Sequence, residues 1–383
     1  MITRMIWNQT AHFGAGAISV IPGEIASRGF TKAFVVSDKV LVATGVTGKV
    51  TTLLENAGIP YEVYSDVTPN PPIDAVKRGV AAFAASGADV LIGIGGGSPQ
   101  DTCKAIGIIT NNPEFADVRS LEGVAATKRA AVPIIAVPTT AGTASETTIN
   151  YVITDVERSR KFVCVDPHAI PVVAVVDSEM MSSAPRSLKV ATGLDALTHA
   201  IEGYTTKGAW ELSDLFHLKA ITMIAESLTA AADGDPVAAD RMALAQYIAG
   251  MGYSNVGLGL VHGMAHPLGA FYNAPHGVAN GILLAPVMAF NADATGDRFR
   301  DIAVAFKVAG AAELSVEDAR TAAVAAVTAF ARGLGNPTTL REIGAKQEDL
   351  PALAQAAFDD VCTGGNPRDV TVEQILALYT AIY

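Results

Sequence analysis

Cysteine is scarce in this chain: the 383 residues contain three, Cys103, Cys164 and Cys362, far apart and with no C-x-x-C spacing. A disulfide framework is thereby excluded, and free buried thiols are expected. Charge is also thin, at 17% Asp, Glu, Lys and Arg with a net of −11. No Lys/Arg cluster offers itself to phosphates, so nucleic acid is excluded as a partner. The N-terminal stretch MITRMIWNQTAHF has no apolar core of a signal peptide, and Gly, Pro, His or Asn interrupts each longer apolar run before it could span a bilayer. A soluble, cytoplasmic protein without a membrane partner is expected.

What is abundant is apolar residue, half of the chain, enough for a large packed core. The length exceeds what one core normally supports, and the pattern changes near residue 180. Residues 32 to 177 alternate strand-like runs (KAFVVSD, YEVYSDV, VLIGIGGG, VPIIA, YVITD, KFVCVDP, VVAVVD) with helical ones. That alternation predicts an α/β domain built on a parallel sheet over residues 1–180. From Ser182 on, segments near 211–233, 236–252, 277–291, 315–333, 346–359 and 371–382 fit helices, so 181–383 reads as an all-α domain.

Residues 242 to 292 contain no Asp, Glu, Lys or Arg, yet they hold His262, His266 and His276. His262 and His266 stand four apart, on one helical face, and His276 follows a turn. Upstream, Asp195 and His199 in ATGLDALTHAIEGY are also four apart, beside the apolar stripe Val190, Leu194, Leu197, Ile201. Singly, such pairs are usually structural. Several imidazoles in one uncharged region need partners for their ring nitrogens, and a divalent metal with an added carboxylate would supply them.

In the first half, VLIGIGGGSPQDTCKAIG reads as a strand ending in Gly95, Gly96 and Gly97, then a helix with Ser98 as N-cap, Pro99 at its first position and Asp101 completing a capping box. Backbone N–H groups there suit a pyrophosphate. Asp38 ends the strand KAFVVSD, where a carboxylate can accept from a ribose diol and repel a 2′-phosphate. It precedes the glycine turn, so the usual dinucleotide fingerprint is absent. Thr139, Thr140 and Thr143 add hydroxyls after the strand VPIIA.

Together GGGSPQDTCKA, PTTAGTASE, KFVCVDP, GLDALTHAIEGY and GMAHPLGAFYNAPHGVAN resemble the iron-containing, group III alcohol dehydrogenases along the whole chain. The resemblance implies a nucleotide-binding α/β domain, a helical domain, a metal in the cleft between them, and a homodimer. It assigns Asp195, His199, His262 and His276 as metal ligands, and His266 as a catalytic neighbour that does not ligate. It also assigns Asp38, Asn70, Gly96, Gly97, Ser98, Thr139, Thr140, Thr143, Asn150 and Lys161 as contacts to NAD. Ala144 departs from the family, which usually has Gly there.

The implied reaction is hydride transfer between NAD(H) and a short alcohol or aldehyde. The metal is Fe(2+), with Zn(2+) as a possible occupant. Lactaldehyde with 1,2-propanediol is the expected pair, and glycolaldehyde with ethylene glycol the next, in a pocket of Asn150, Val152, Tyr253, Leu258 and Cys362. The alternatives are a general short-chain, 1,3-propanediol or methanol dehydrogenase and, from another class, a lyase like dehydroquinate synthase. The uncharged stretch argues against the lyase, whose polyanionic substrate needs cations.

Overall fold

The computed structural model describes residues 3–158 and 160–383. The chain forms two compact units, Met1–Ala184 and Pro185–Tyr383. The strands of the first unit are β1 Thr10–Phe13, β2 Ala33–Asp38, β3 Tyr61–Val67, β4 Val90–Gly95, β5 Gly123–Val124, β6 Ile134–Pro138, β7 Asn150–Asp155, β8 Arg160–Val165 and β9 Val173–Val176. Its helices are α1 Ile21–Ser27, α2 Lys39–Ala43, α3 Val46–Asn56, α4 Ile73–Ser86 and α5 Gly97–Asn111.

Six strands form an all-parallel sheet in the order β1-β9-β6-β4-β2-β3. Its central strands are buried throughout, as the apolar runs AFVVS, VLIGI and IIAVP require when helices cover both faces. Alternate residues of β2 serve opposite faces. Phe34 and Val36 pack with Tyr64, Phe83 and Ile106, whereas Ala33 and Val35 pack with Val50, Leu54 and Ile92. From β2 the chain proceeds outward to β3, while β4 leads the other way to β6, so the strand order reverses between β2 and β4. In open α/β sheets such a reversal marks the ligand crevice at the strands' C-terminal ends. Strands β7 and β8 leave this sheet and form an antiparallel hairpin with β5 alongside.

The second unit is helical: α6 Arg186–Thr205, α7 Glu211–Ala232, α8 Pro236–Val256, α9 Leu260–Tyr272, α10 His276–Asn291, α11 Arg298–Ala305, α12 Val316–Gly333, α13 Leu350–Phe358 and α14 Val372–Ala381. Local signals set several ends. Asp235 caps α8 by accepting from Ala238 N (2.8 Å), with Pro236 next to it. Thr371 and Gln374 form a capping box on α14, and Asn273 closes α9 in the left-handed conformation (φ 52°). Among the described residues no helix is long and apolar enough to cross a membrane.

Three local expectations fail. Helix α5 begins at Gly97 with Gly96 as N-cap and no side-chain cap, so Ser98 and Asp101 form no capping box. Asp101 bonds instead to Ser145 Oγ (2.8 Å) and Val152 N (2.9 Å), distant in sequence. The segment expected to be helical from 346 becomes α-helical only at Leu350, after a tighter turn over Gln347–Asp349. Helix α11 falls where no helix is expected, because Arg298, Arg300 and Asp301 interrupt its short apolar stripe of Phe299, Ile302, Ala303 and Ala305.

Candidate functional site

Asp195 and His199 lie on α6, which is buried almost continuously from Val190. His262 and His266 lie on α9, and His276 is the first residue of α10. Gly277 brings α10 against α6, since a Cβ there would overlap the Ala191 carbonyl one turn before Asp195. From Asp195 Oδ1, His276 Nε2 is 3.5 Å away, His262 Nε2 3.7 Å and His199 Nε2 3.9 Å. Donor atoms of Asp195, His262 and His276 all lie within 4.8 Å of one another. Ligands about 2.1 Å from a tetrahedral ion stand about 3.4 Å apart, so these spacings need only slight contraction. His199 is held face-on between Tyr253 (centroids 4.2 Å) and His262 (4.6 Å).

A group missing from the sequence reading completes this pocket. Glu202 is one helical repeat beyond Asp195 on α6, and it is 5% exposed. Its Oε1 accepts from Val261 N (2.6 Å) and its Oε2 from His262 Nδ1 (2.6 Å). An ionised carboxylate only accepts, so His262 donates from Nδ1 and its Nε2 faces the other ligands. This carboxylate–histidine pairing is how proteins fix a metal-ligating imidazole. Asp195 and Glu202 together carry two negative charges, which a divalent cation neutralises.

The buried charges of this pocket hold one another ionised. Burial lowers the His262 pKa, but the Asp195 and Glu202 carboxylates outweigh it and push it up to about 9. Burial likewise opposes ionisation of Asp195, yet His199, His276 and His262 hold it well below the usual carboxylate range. Asn280, fully buried, turns its Nδ2 toward Asp195 Oδ1 (2.7 Å), His276 Nε2 (3.2 Å) and His262 Nε2 (3.4 Å). One amide group thus faces a carboxylate oxygen and two ring nitrogens, and Asn280 Oδ1 has no partner. A cation would satisfy all three at once, so the residues present fit one.

His266 lies beside this set without joining it. Its Nδ1 bonds Asp360 Oδ2 (2.8 Å), and its ring lies nearly parallel to His276 at 5.4 Å. The first grouping read from spacing, His262 with His266 and His276, therefore gives way to the set containing His199. Asp360 had no sequence signal, because it lies in the loop after α13. Nearby, Cys362 is partly exposed and donates its backbone N–H to Asp360 Oδ1 (2.9 Å). Leu258 is buried, and its carbonyl accepts from Thr206 Oγ1 (3.0 Å).

In the first unit, Asp38, Gly96, Gly97, Ser98, Thr139, Thr140 and Thr143 lie at or just after the C-terminal ends of β2, β4 and β6, whereas Asn70 follows β3 and Asn150 and Lys161 lie on β7 and β8. Asp38 caps α2, Oδ1 accepting from Leu41 N (2.8 Å). A Cβ on Gly96 or Gly97 would press on Thr140 or Thr143 at 3.1 Å, so glycine permits that close approach of the threonine loop. Thr139 N donates to Gly95 O (3.1 Å), tying the two loops together. Ser98 lies in the first turn of α5, and Asn70 adopts φ 56°. Ala144 is buried in the left-handed region at φ 50°. That conformation favours glycine, so the departure at 144 costs backbone strain besides adding a methyl.

Asn150 and Val152 begin β7, which two buried charges pin to α5. Asp101 accepts from Val152 N, and burial pushes its pKa up to about 6 despite Lys104, Val152 N–H and Ser145. Lys104 is fully buried and donates to Thr148 O (2.8 Å), Thr148 Oγ1 (3.0 Å) and Asn150 O (2.8 Å). Burial pushes it down to about 8. Lys161 on β8 is also pushed down to about 8 by burial, against the pull of Asp101.

The iron-containing alcohol dehydrogenase model matches residues 8–178, and the C-terminal model of the Fe-containing alcohol dehydrogenase family matches residues 189–383. Lactaldehyde reductase of Escherichia coli K12 is 62% identical over 381 residues, 99% of each chain. The NAD-dependent methanol dehydrogenase of Bacillus methanolicus is 40% identical over 366 residues, 94% of this chain and 95% of that one. The solved alcohol dehydrogenase from Oenococcus oeni superposes with a TM-score of 0.96 at 35% identity, covering both chains fully.

Proposed function

The chain belongs to the iron-containing alcohol dehydrogenase family and is an enzyme, and from that premise we propose that it interconverts lactaldehyde and 1,2-propanediol with NAD(H). The observation that carries this reading is the pairing of end-to-end 62% identity to lactaldehyde reductase with a pocket in which Asp195, His262 and His276 converge beside His199. Glycolaldehyde and ethylene glycol form the second substrate pair.

Asp195, His199, His262 and His276 would hold iron(II), and zinc competes as occupant because it ranks higher in the Irving–Williams order. Asp38, Asn70, Gly96, Gly97, Ser98, Thr139, Thr140, Thr143, Asn150 and Lys161 would hold NAD(H). When bound, the ion supplies Lewis acidity toward the substrate oxygen and the nicotinamide supplies or accepts the hydride.

The chain's own groups prepare that chemistry. Glu202 fixes the His262 ring so that Nε2 presents its lone pair. Asp360 holds His266 by Nδ1, leaving Nε2 to take up the alcohol proton during oxidation and return it during reduction. Asp38 sets a negative charge where NADP(H) would carry its 2′-phosphate, which selects NAD(H). Lys104 and Asp101 hold the β7 strand that carries Asn150 and Val152. Tyr253, Leu258 and Cys362 limit the length of chain accepted, each methylene being worth about 1–3 kcal/mol. We also infer a cytoplasmic homodimer.

The test is the ratio of kcat/KM for 1,2-propanediol to that for 1-propanol on iron-loaded protein with NAD+. A ratio well above one is expected. A ratio at or below one rejects the diol reading in favour of a general short-chain alcohol dehydrogenase.

A further inference from the structure

The second unit contains another group of metal-ligating side chains beside the ligand pocket. A ring nitrogen of His266, a carboxylate oxygen of Asp360 and the thiol sulfur of Cys362 lie within 4.8 Å of one another. Both oxygens of Asp360 are already directed inward, Oδ2 to His266 Nδ1 (2.8 Å) and Oδ1 to Cys362 N (2.9 Å). No residue of this group belongs to the proposed iron ligands.

We infer that His266, Asp360 and Cys362 form a second divalent-cation site, suited to a thiophilic ion such as zinc, whose occupation inhibits the enzyme. The donor set is the first argument. Three protein ligands and one water make a four-coordinate zinc site, and nitrogen, oxygen and sulfur are all zinc donors. The proposed iron pocket offers nitrogen and oxygen only, so sulfur distinguishes the two sites by softness. Geometry is the second argument. Donors about 2.0–2.3 Å from zinc stand roughly 3.5 Å apart, and the contraction required falls on Asp360 and Cys362, which share the loop following α13.

Charge is the third argument. One thiolate and one carboxylate neutralise a divalent ion without adding net charge to the interior. On binding, the Cys362 thiol gives its proton to solvent and the sulfur lone pair fills a position on the ion; nothing is oxidised or reduced. His266 gives its Nδ1 lone pair while its remaining proton moves to Nε2, so the ring can no longer accept a proton there. The inhibitory half of the inference rests on the role proposed for His266. The binding half does not.

The experiment uses iron-loaded protein and cobalt(II) as the probe, followed by zinc. A near-ultraviolet thiolate-to-cobalt absorption should grow to one equivalent per chain with the iron content unchanged, and zinc should abolish it. Cys103 and Cys164 are fully buried in the first unit, so the band reports Cys362. The band should be absent from Cys362→Ser, and Asp360→Asn should weaken cobalt binding by at least about tenfold. Absence of the band in the parent, its persistence in Cys362→Ser, or loss of iron mole for mole with cobalt uptake overturns the site. In the parent, turnover should fall in step with zinc uptake. A band with unchanged turnover upholds the site and overturns both the inhibition and the proton-transfer role of His266.

Discussion

Replacing Glu202 with Gln is the sharpest perturbation of the pocket, because it preserves shape and removes only charge and acceptor capacity. In the parent, Glu202 accepts from Val261 N at 2.6 Å, from His262 Nδ1 at 2.6 Å and from His262 N at 3.3 Å. A Gln has one carbonyl oxygen, so its NH2 must face one of the two close donors. The His262 ring then loses its orienting acceptor or the α9 backbone loses its own. A hydrogen bond to a charged group contributes about 1.5–3 kcal/mol, and losing such a partner typically costs roughly 10–100-fold in metal affinity. The bound ion also loses one of the two charges that balance it. Competition between a chelator and the protein for iron(II) measures this directly, and the variant should bind about 10–100-fold more weakly. Binding within about threefold of the parent would refute the assignment of Glu202 as the group that holds His262.

Asp38→Gly should raise kcat/KM for NADPH relative to NADH, since the like charge that repels the 2′-phosphate is gone; a parent that already uses both equally would void that role. Asp101→Ala should destabilise the first unit by about 1–3 kcal/mol, because it leaves the Val152 N–H and the Ser145 hydroxyl without their acceptor. Thermal denaturation of the metal-free protein measures it, and an unchanged midpoint would contradict the clamp on β7. The pH dependence of metal uptake follows from His262, whose pKa in the metal-free pocket is pushed up to about 9, above an unfolded value of about 6.5. Its contribution to stability is thus full below about pH 6.5 and lost as pH rises through the folded value. Metal needs the neutral imidazole, so the apparent affinity should rise about tenfold per pH unit between about 6.5 and 9. Affinity that is flat or falling over that range would count against His262 as a ligand.

Much of the site is written in local spacing. The i, i+4 pair Asp195 and His199, and the uncharged stretch around His262 and His276, announce a pocket because helical periodicity places them on buried faces. Glu202 was equally legible, seven residues after Asp195 on the same stripe, but a lone acid in an apolar helix reads as a solvated edge until its partner on α9 is known. The capping box at Ser98 and Asp101 misled for the converse reason. The local pattern was present, and long-range partners at Ser145 and Val152 took the carboxylate instead. The α/β alternation of 32–177 carried the parallel sheet, whereas departure of β7 and β8 into their own hairpin depends on pairing that no window of sequence displays. Asp360 and Lys104 act through contacts formed only in the folded chain, with His266 and with the backbone of Thr148 and Asn150.

The central claim is that one metal ion held by Asp195, His199, His262 and His276 makes this chain a diol and aldehyde oxidoreductase. NADH consumption with lactaldehyde, followed while iron(II) is added anaerobically to metal-stripped protein, tests it most directly. The account predicts activity rising from near zero to a plateau at one iron per chain, with neither bound iron nor turnover in His262→Ala. Full turnover by the metal-stripped parent, or an active His262→Ala variant with full iron occupancy, would contradict it.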